Sequence, residues 1–171
     1  MMYWIVGMAL LLFLFFLAAF SIWNVYAIIR GAPFVPSAKK RVETMISVAD
    51  LQKTDTLLDL GSGDGRIVRR VASLVKEARG IEINPSLALW SKVLNALQHK
   101  KNVNIRCADF WHYDLHDIDV LFVYCIDHKM NKLEAKVKKE MKPGARVVSN
   151  GFKFSEWKPA KEEGGVCVYQ L

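Results

Sequence analysis

The first charged side chain in this sequence is Arg30. From Tyr3 to Ile29 the chain runs 27 residues without a charge. As a helix rising 1.5 Å per residue, that is about 40 Å, more than the ~30 Å of hydrocarbon in a bilayer. Aromatic residues mark both ends: Tyr3 and Trp4 at one, Trp23 and Tyr26 at the other. Trp4 and Trp23 lie about 29 Å apart on a helix, matching an aromatic belt at each interface. A cleaved signal peptide would carry a basic start and a shorter apolar core, and a buried core helix of this length would be out of scale with so small a domain. Residues 1–30 therefore read as one transmembrane anchor. Arg30, Lys39, Lys40 and Arg41 follow it and nothing basic precedes it. The positive-inside rule then places the rest of the chain in the cytoplasm, as a single-pass membrane protein.

Composition divides at the same point. Of the first 30 residues 26 are apolar, which leaves about 45% apolar among the remaining 141, ordinary for a globular domain. That pattern excludes both a wholly soluble chain and a polytopic one, and residues 31–171 are expected to form a single domain. Three cysteines, Cys107, Cys125 and Cys167, show no paired spacing and are expected as small buried residues in a reducing compartment. The net charge of +7 is mildly basic and compatible with anionic lipid, nucleic acid or an acidic protein.

Within the domain, strand-like and helix-like segments alternate. Val42, Met45, Ile46 and Ala49 recur at helical spacing, with Ser37 as an expected cap. Thr56–Leu60 reads as a buried strand, followed by a helix whose inner side carries Ile67, Val68, Val71, Ala72 and Val75. Gly80–Ile83 is a second strand, stopped by Asn84-Pro85. Residues 86–98 are expected to be helical, with Leu87, Trp90, Val93, Leu94 and Leu97 as the inner stripe. Val103–Cys107 alternates as a third strand, and Val120–Ile126 is an unbroken apolar run of the kind covered on both faces. A further helix (Met130 to Met141), a strand (Ala145–Ser149) and a closing hairpin complete the chain. Such alternation predicts an α/β fold with a mostly parallel sheet and helices on both faces.

The chemistry concentrates in Asp59-Leu60-Gly61-Ser62-Gly63-Asp64-Gly65. Alternating glycines after a strand let backbone approach a ligand closely, and the helix that follows presents its N-terminus to it. The Gly-Lys-Ser/Thr of a P-loop is absent. An acid before the first glycine suits a ligand with a cationic amino group. Glu82, at the end of the second strand, can accept from both ribose hydroxyls. Asp109, just past the third, can accept from an adenine amino group while a neighbouring aromatic such as Phe110 packs on the base. Ligands sit at the carboxyl edge of open α/β sheets, where all three acids are expected.

These segments resemble class I, Rossmann-like S-adenosylmethionine-dependent methyltransferases. More narrowly, the chain is similar to the lysine methyltransferases that include the ATP synthase c-subunit enzyme and archaeal protein lysine methyltransferases. The resemblance rests on Pro33-Phe34-Val35-Pro36-Ser37, on the stretch from Leu58 to Val68, on Gly80-Ile81-Glu82-Ile83-Asn84-Pro85, on Ala108-Asp109-Phe110-Trp111 and on Lys142 to Ser149. It implies a seven-stranded, mostly parallel sheet and S-adenosylmethionine as cofactor. It also implies cofactor contacts from Asp59, Gly61, Ser62, Gly63, Gly65, Glu82, Asp109 and Phe110, with Phe34, Val35, Pro36 and Ser37 as a lid over the cofactor or substrate entrance. Cys125-Ile126-Asp127-His128 matches no catalytic signature of that class, and the Asn-Pro-Pro-Tyr motif of base methyltransferases is missing.

Methyl transfer to lysine needs a neutral amine, and the free pKa is about 10.4. Asp127 or His128 can orient or deprotonate it, and Tyr124, Trp111 and Tyr113 are candidates for an apolar acceptor slot. His99, His112 and His116 have no ligand spacing, so no metal is expected. The expected partners are a protein substrate at or near the membrane and the lipid bilayer. A nucleic acid lacks its usual basic-and-aromatic stacking platform here. Two alternatives stay open: methylation of a membrane-associated lipid or quinone, and a non-catalytic nucleotide-binding domain.

Overall fold

Seven strands form one sheet in the order β3-β2-β1-β4-β5-β7-β6. In chain order they are β1 (Thr56–Leu60), β2 (Glu77–Glu82), β3 (Val103–Cys107), β4 (Val120–Val123), β5 (Arg146–Asn150), β6 (Lys161–Glu163) and β7 (Val166–Gln170). The helices are α1 (Met2–Arg30), α2 (Lys39–Val48), α3 (Arg66–Val71), α4 (Pro85–Leu97) and α5 (Asp127–Glu140). The computed structural model describes residues 2–30, 35–125 and 127–171, with the side chains of 2, 23, 24, 26–30, 127 and 128 left aside. Phe34 thus lies outside the described residues, as do the side chains of Trp23, Tyr26, Asp127 and His128.

Pairing is parallel through β3, β2, β1, β4 and β5, and antiparallel on both sides of β7. The expected α/β architecture, seven-stranded and mostly parallel, is the one observed. From β1 the chain builds outward to β2 and β3, then returns to place β4 on the other side of β1. That reversal opens a crevice at the carboxyl ends of β1 and β4.

The period of two along the strands sorts side chains into two cores. Leu57, Phe122 and Val148 face the layer of α2 and α3, meeting Val42, Met45, Val68 and Val71. Leu58, Leu60, Leu121 and Val147 face α5, meeting Met130, Leu133 and Val137. All five of the side chains expected inside the segment after the glycine loop are buried, although α3 itself closes at Val71. The tail is closed by Phe154, Trp157 and Tyr169, whose ring centroids lie 4.7–5.4 Å apart. Ion pairs of Arg146 with Asp55, Lys142 with Asp119, and Arg79 with Glu77 and Asp117 tie the connections at the sheet's amino-terminal side.

Three expectations are corrected. Helix α4 does not bury its expected stripe: Ala88 and Ser91 are buried, Leu87 and Leu94 are half-buried, and Trp90, Val93 and Leu97, with Leu89, are exposed. The cause is close approach to the glycine loop, since a Cβ on Gly65 would stand 2.0 Å from Ser91 Oγ. Only small side chains fit between. Ser37 does not cap α2; Ala38 holds the cap position, and the Ser37 hydroxyl accepts instead from Asn150 Nδ2 at 3.2 Å. Cys107 is exposed, because β3 is an edge strand, while Cys125 and Cys167 are buried.

Helix α1 is apolar on every side, and Tyr3–Ile22 is long and apolar enough to cross a membrane. Truncating a side chain that fills the sheet–helix layer removes buried area and leaves a cavity. Phe122→Ala is therefore expected to cost about 3–5 kcal/mol in urea unfolding, and Trp90→Ser less than about 0.5 kcal/mol.

Candidate functional site

The carboxyl ends of β1 and β2 are joined by a short set of hydrogen bonds. Gly61 N–H and Ser62 N–H both donate to Ile81 O, each at 2.9 Å, and Gly65 N–H donates to Ser62 O at 2.8 Å. Gly61, Gly63 and Gly65 have φ of +75°, +54° and +74°, the left-handed region where a Cβ is strained. Glycine suits the loop at those points, and its N–H groups are engaged by Ile81 O, Ser62 O and, at Gly63, the Glu82 carboxylate.

Glu82 locks the arrangement. Its Oε2 accepts from Gly63 N–H and its Oε1 from Asn84 N–H, each at 2.8 Å. Asn84 in turn caps α4, accepting from Ser86 N–H at 3.0 Å. One carboxylate thus holds the glycine loop, the end of β2 and the start of α4. Burial raises the Glu82 pKa, and the backbone N–H groups of Asn84, Gly63 and Ile83 oppose that rise.

Asp59 sits on the α2-and-α3 face of β1, one residue beyond Leu58, and is only 4% exposed. Burial, then the charges of Glu82 and Asp64, push its pKa up to about 7. Asp64 does not share that state, because Arg66 at 2.8 Å lowers its pKa against the cost of its own burial. Among the described residues, neither Asp59 nor Glu82 forms an ion pair. Two buried acids without a cation fit a ligand that brings hydroxyls and an amino cation of its own.

Asp109 lies just beyond β3, where Ala108 N–H donates to Glu82 O at 3.0 Å. Its carboxylate caps a short 3-10 turn, Phe110–His112, accepting from Trp111 N–H at 3.0 Å. Phe110 and Trp111 stack obliquely with centroids 4.6 Å apart. Ser62 packs inward: its hydroxyl is buried without a hydrogen-bond partner, at 2.6 Å from where a Cβ on Gly80 would stand. The loop, Asp59, Glu82 and Asp109 thus share one edge, while the Ser62 side chain turns away from it.

The three aromatic residues suggested for an acceptor slot each have a different partner. Tyr113 Oη accepts from Arg79 Nη1 at 3.4 Å, and Trp111 lies beneath Lys132, whose Nζ is 4.3 Å from the ring. Tyr124 instead pairs with Phe152 at 6.0 Å, at the ends of β4 and β5. The Phe152 pairing and the Asn150–Ser37 bond escaped sequence reading, since both join segments far apart in the chain. The only sequence sign was Ser149-Asn150-Gly151-Phe152, a polar turn after an apolar strand. Of the expected lid, Val35 and Pro36 are exposed and Ser37 is half-buried. Ser37, Asp64 and Arg66 line one cleft of about 420 Å³. Asp127 and His128 open α5 just past β4, with side chains outside the described residues.

A family model described as the ANTKMT methyltransferase domain matches residues 59–161. A protein-lysine N-methyltransferase of Saccharolobus islandicus (strain REY15A) is 34% identical over 135 residues, 74% of this chain and 81% of that protein. The ATP synthase c-subunit lysine N-methyltransferase of Mus musculus is 32% identical over 134 residues, 77% of this chain and 53% of the relative, so the chain spans about half of its length. A crystal structure of an RNA methyltransferase from Salinibacter ruber with S-adenosyl-L-homocysteine aligns with a TM-score of 0.72 and 34% identity. It covers 79% of this chain and 91% of that one.

The raised Asp59 pKa sets the direction of a pH effect. Unfolded, the carboxyl titrates near its ordinary value of about 3.9; folded, it holds its proton until about pH 7. Stability of the ligand-free protein should therefore fall as pH rises from about 4 to about 7. Asp59→Asn is expected to flatten that fall and to raise the urea midpoint at pH 8 above that of the parent.

Proposed function

The chain belongs to the ANTKMT methyltransferase domain family and is a class I S-adenosylmethionine-dependent methyltransferase, and from this we propose that it methylates lysine side chains of proteins at a membrane. The observation that carries the site assignment is the pair of buried acids, Asp59 and Glu82, set around a left-handed glycine loop with no cation paired to them among the described residues. In this reading Asp59 faces the amino group of the cofactor's methionine part, and the backbone of Gly61, Ser62, Gly63 and Gly65 runs alongside it without a Cβ at the glycines to intervene. Glu82, already fixed by backbone donors, offers its remaining acceptor capacity to the ribose hydroxyls. Asp109 and Phe110 take the adenine end.

The cofactor, when bound, supplies a methyl group on a sulfonium, open to in-line attack by a neutral amine. What the chain supplies is alignment and exclusion of water. Val35, Pro36 and Ser37, held to β5 through Asn150, stand at the entrance, and we assign Phe34 to the same lid. Asp127 or His128, opening α5 beyond β4, orients the amine or takes its proton.

Residues 1–30 are proposed as the membrane anchor, with the domain of residues 31–171 on the cytoplasmic side. Support comes from the uncharged stretch, its apolar helix and the basic residues after it. Lysine as acceptor is supported by the names of the Saccharolobus islandicus and Mus musculus relatives. The Salinibacter ruber protein, described as an RNA methyltransferase, makes RNA the second reading to test.

Membranes bearing the full chain, incubated with S-adenosylmethionine labelled in the methyl group, should yield methyl-lysine in a protein band by mass spectrometry. Label confined to RNA, or extracted into organic solvent with lipid, would overturn the lysine assignment. Calorimetry should show Glu82→Ala weakening S-adenosylhomocysteine binding by roughly tenfold or more, the loss of charge-assisted bonds to two hydroxyls. Affinity of the parent protein should rise as pH passes through about 7, since Asp59 must ionise to meet an ammonium. In Asp59→Asn that rise should vanish.

A further inference from the structure

Four large apolar side chains stand on the outer face of α4: Leu89 is 64% exposed, Trp90 54%, Val93 41% and Leu97 69%. At 100° per residue they fall within about a third of a turn, directly opposite the buried Ala88 and Ser91. Exposed apolar residues are ordinary when scattered; four contiguous ones on one helix face, tryptophan among them, form a contact surface. Sheet and loop fully account for the inner face of α4, and nothing among the described residues covers the outer one.

Charge identifies the occupant. From Asn84 to Lys101 the chain carries Lys92, Lys100 and Lys101 and not one acid. Lys92 and Lys101 also line a cleft of about 590 Å³ beside α4, together with Lys76. The single acid there, Glu77, is engaged by Arg79 at 2.8 Å. None of these four lysines forms an ion pair among the described residues. A two-fold contact between copies would set like charges against like, because the same patch occurs on both sides. A surface that is apolar and negative accepts both features at once.

We propose that the outer face of α4 rests on an anionic lipid bilayer, with Leu89, Trp90, Val93 and Leu97 entering the headgroup–acyl boundary and the lysines meeting lipid phosphates. Helices of this kind lie in the plane of the interface, and each nearby lysine adds to the attraction of an anionic surface. The proposal rests in part on the reading of α1 as the anchor, which keeps the domain within reach of the bilayer. It adds an orientation that the anchor alone does not impose. Helix α4 starts at the carboxyl edge of β2, beside Glu82 and Asn84, and runs back along the sheet. Laid flat, it brings that edge to the headgroup level, so acceptor lysines at the membrane–water boundary are favoured over those far from it.

The test uses the full chain reconstituted into vesicles of phosphatidylcholine, alone or with about a third phosphatidylglycerol. A nitroxide is placed through Leu97→Cys in a Cys107→Ser background, and a reference label through Lys161→Cys on the opposite edge of the sheet. In anionic vesicles the label at 97 should collide readily with dissolved oxygen and several-fold less than the reference with a water-soluble nickel chelate. Lys92→Glu with Lys101→Glu should return its chelate collisions toward the reference. Equal chelate access at 97 and 161 while the chain floats with the vesicles overturns the docking of α4 and leaves the anchor standing. A chain that does not float overturns both. Dipolar broadening between labels at 97, or protection identical in neutral vesicles, overturns it in favour of a second copy or of charge-independent burial.

Discussion

Everything at the carboxyl edge of the sheet hangs on the Glu82 carboxylate and the two backbone N–H groups it accepts from, Gly63 and Asn84, each at 2.8 Å. The first bond fixes a loop of three left-handed glycines that has little side-chain packing of its own. The second fixes the turn that starts α4, whose cap is Asn84 itself. Without the carboxylate, the glycine loop and the helix start would lose their shared anchor, leaving backbone bonds to Ile81, the Arg69 bond to Asp64 O and the packing of Ser91 on Gly65. A buried acid is costly unless its oxygens are occupied. Here backbone N–H groups occupy sites on both oxygens and hold the carboxylate in one orientation.

The two ends of the sheet divide the electrostatic labour. At the amino-terminal side arginine and lysine neutralise the acids: Arg146 with Asp55, Lys142 with Asp119, Arg79 with Glu77 and Asp117. At the carboxyl edge, Asp59 and Glu82 pair with no cation among the described residues; burial raises the pKa of both, and for Asp59 the charges of Glu82 and Asp64 add to it. Ligand-free and above about pH 7, the buried Asp59 carboxylate costs stability relative to a neutral side chain. A ligand supplying an amino cation and hydroxyls removes the cost, so binding and folding reinforce each other.

Small residues inside α4 and large ones outside are two consequences of one constraint. The glycine loop needs a helix close behind it, and Gly65 against Ser91 leaves no volume for leucine or tryptophan. Leu89, Trp90, Val93 and Leu97 therefore stand on the outward face, while Leu87 and Leu94 are half-buried at its flank. In a chain whose first 29 residues carry no charge, a lipid surface suits that face.

Much was legible in the residues alone. Charge-free length marked out α1, unbroken apolar runs marked the central strands, and periodicity found the inner side chains after the glycine loop. The glycine spacing and the acids at successive strand ends placed the loop, Asp59, Glu82 and Asp109 at one edge of the sheet, because those signals are local: each depends on neighbours within a few positions. Contacts between distant segments were not legible. Periodicity marked Leu87, Trp90, Val93, Leu94 and Leu97 as one face but could not say which way that face turned. Ser37 looked like a helix cap until Asn150, 113 residues away, claimed its hydroxyl. Tyr124 found Phe152 rather than Trp111 or Tyr113. The sequence by itself determined the fold class, the loop and the acids, since backbone conformation and burial patterns are written in short stretches. Which acids stay unpaired, which face of α4 is bare and which residues meet across the crevice were decided only by tertiary structure, where strand order brings distant segments within hydrogen-bonding range.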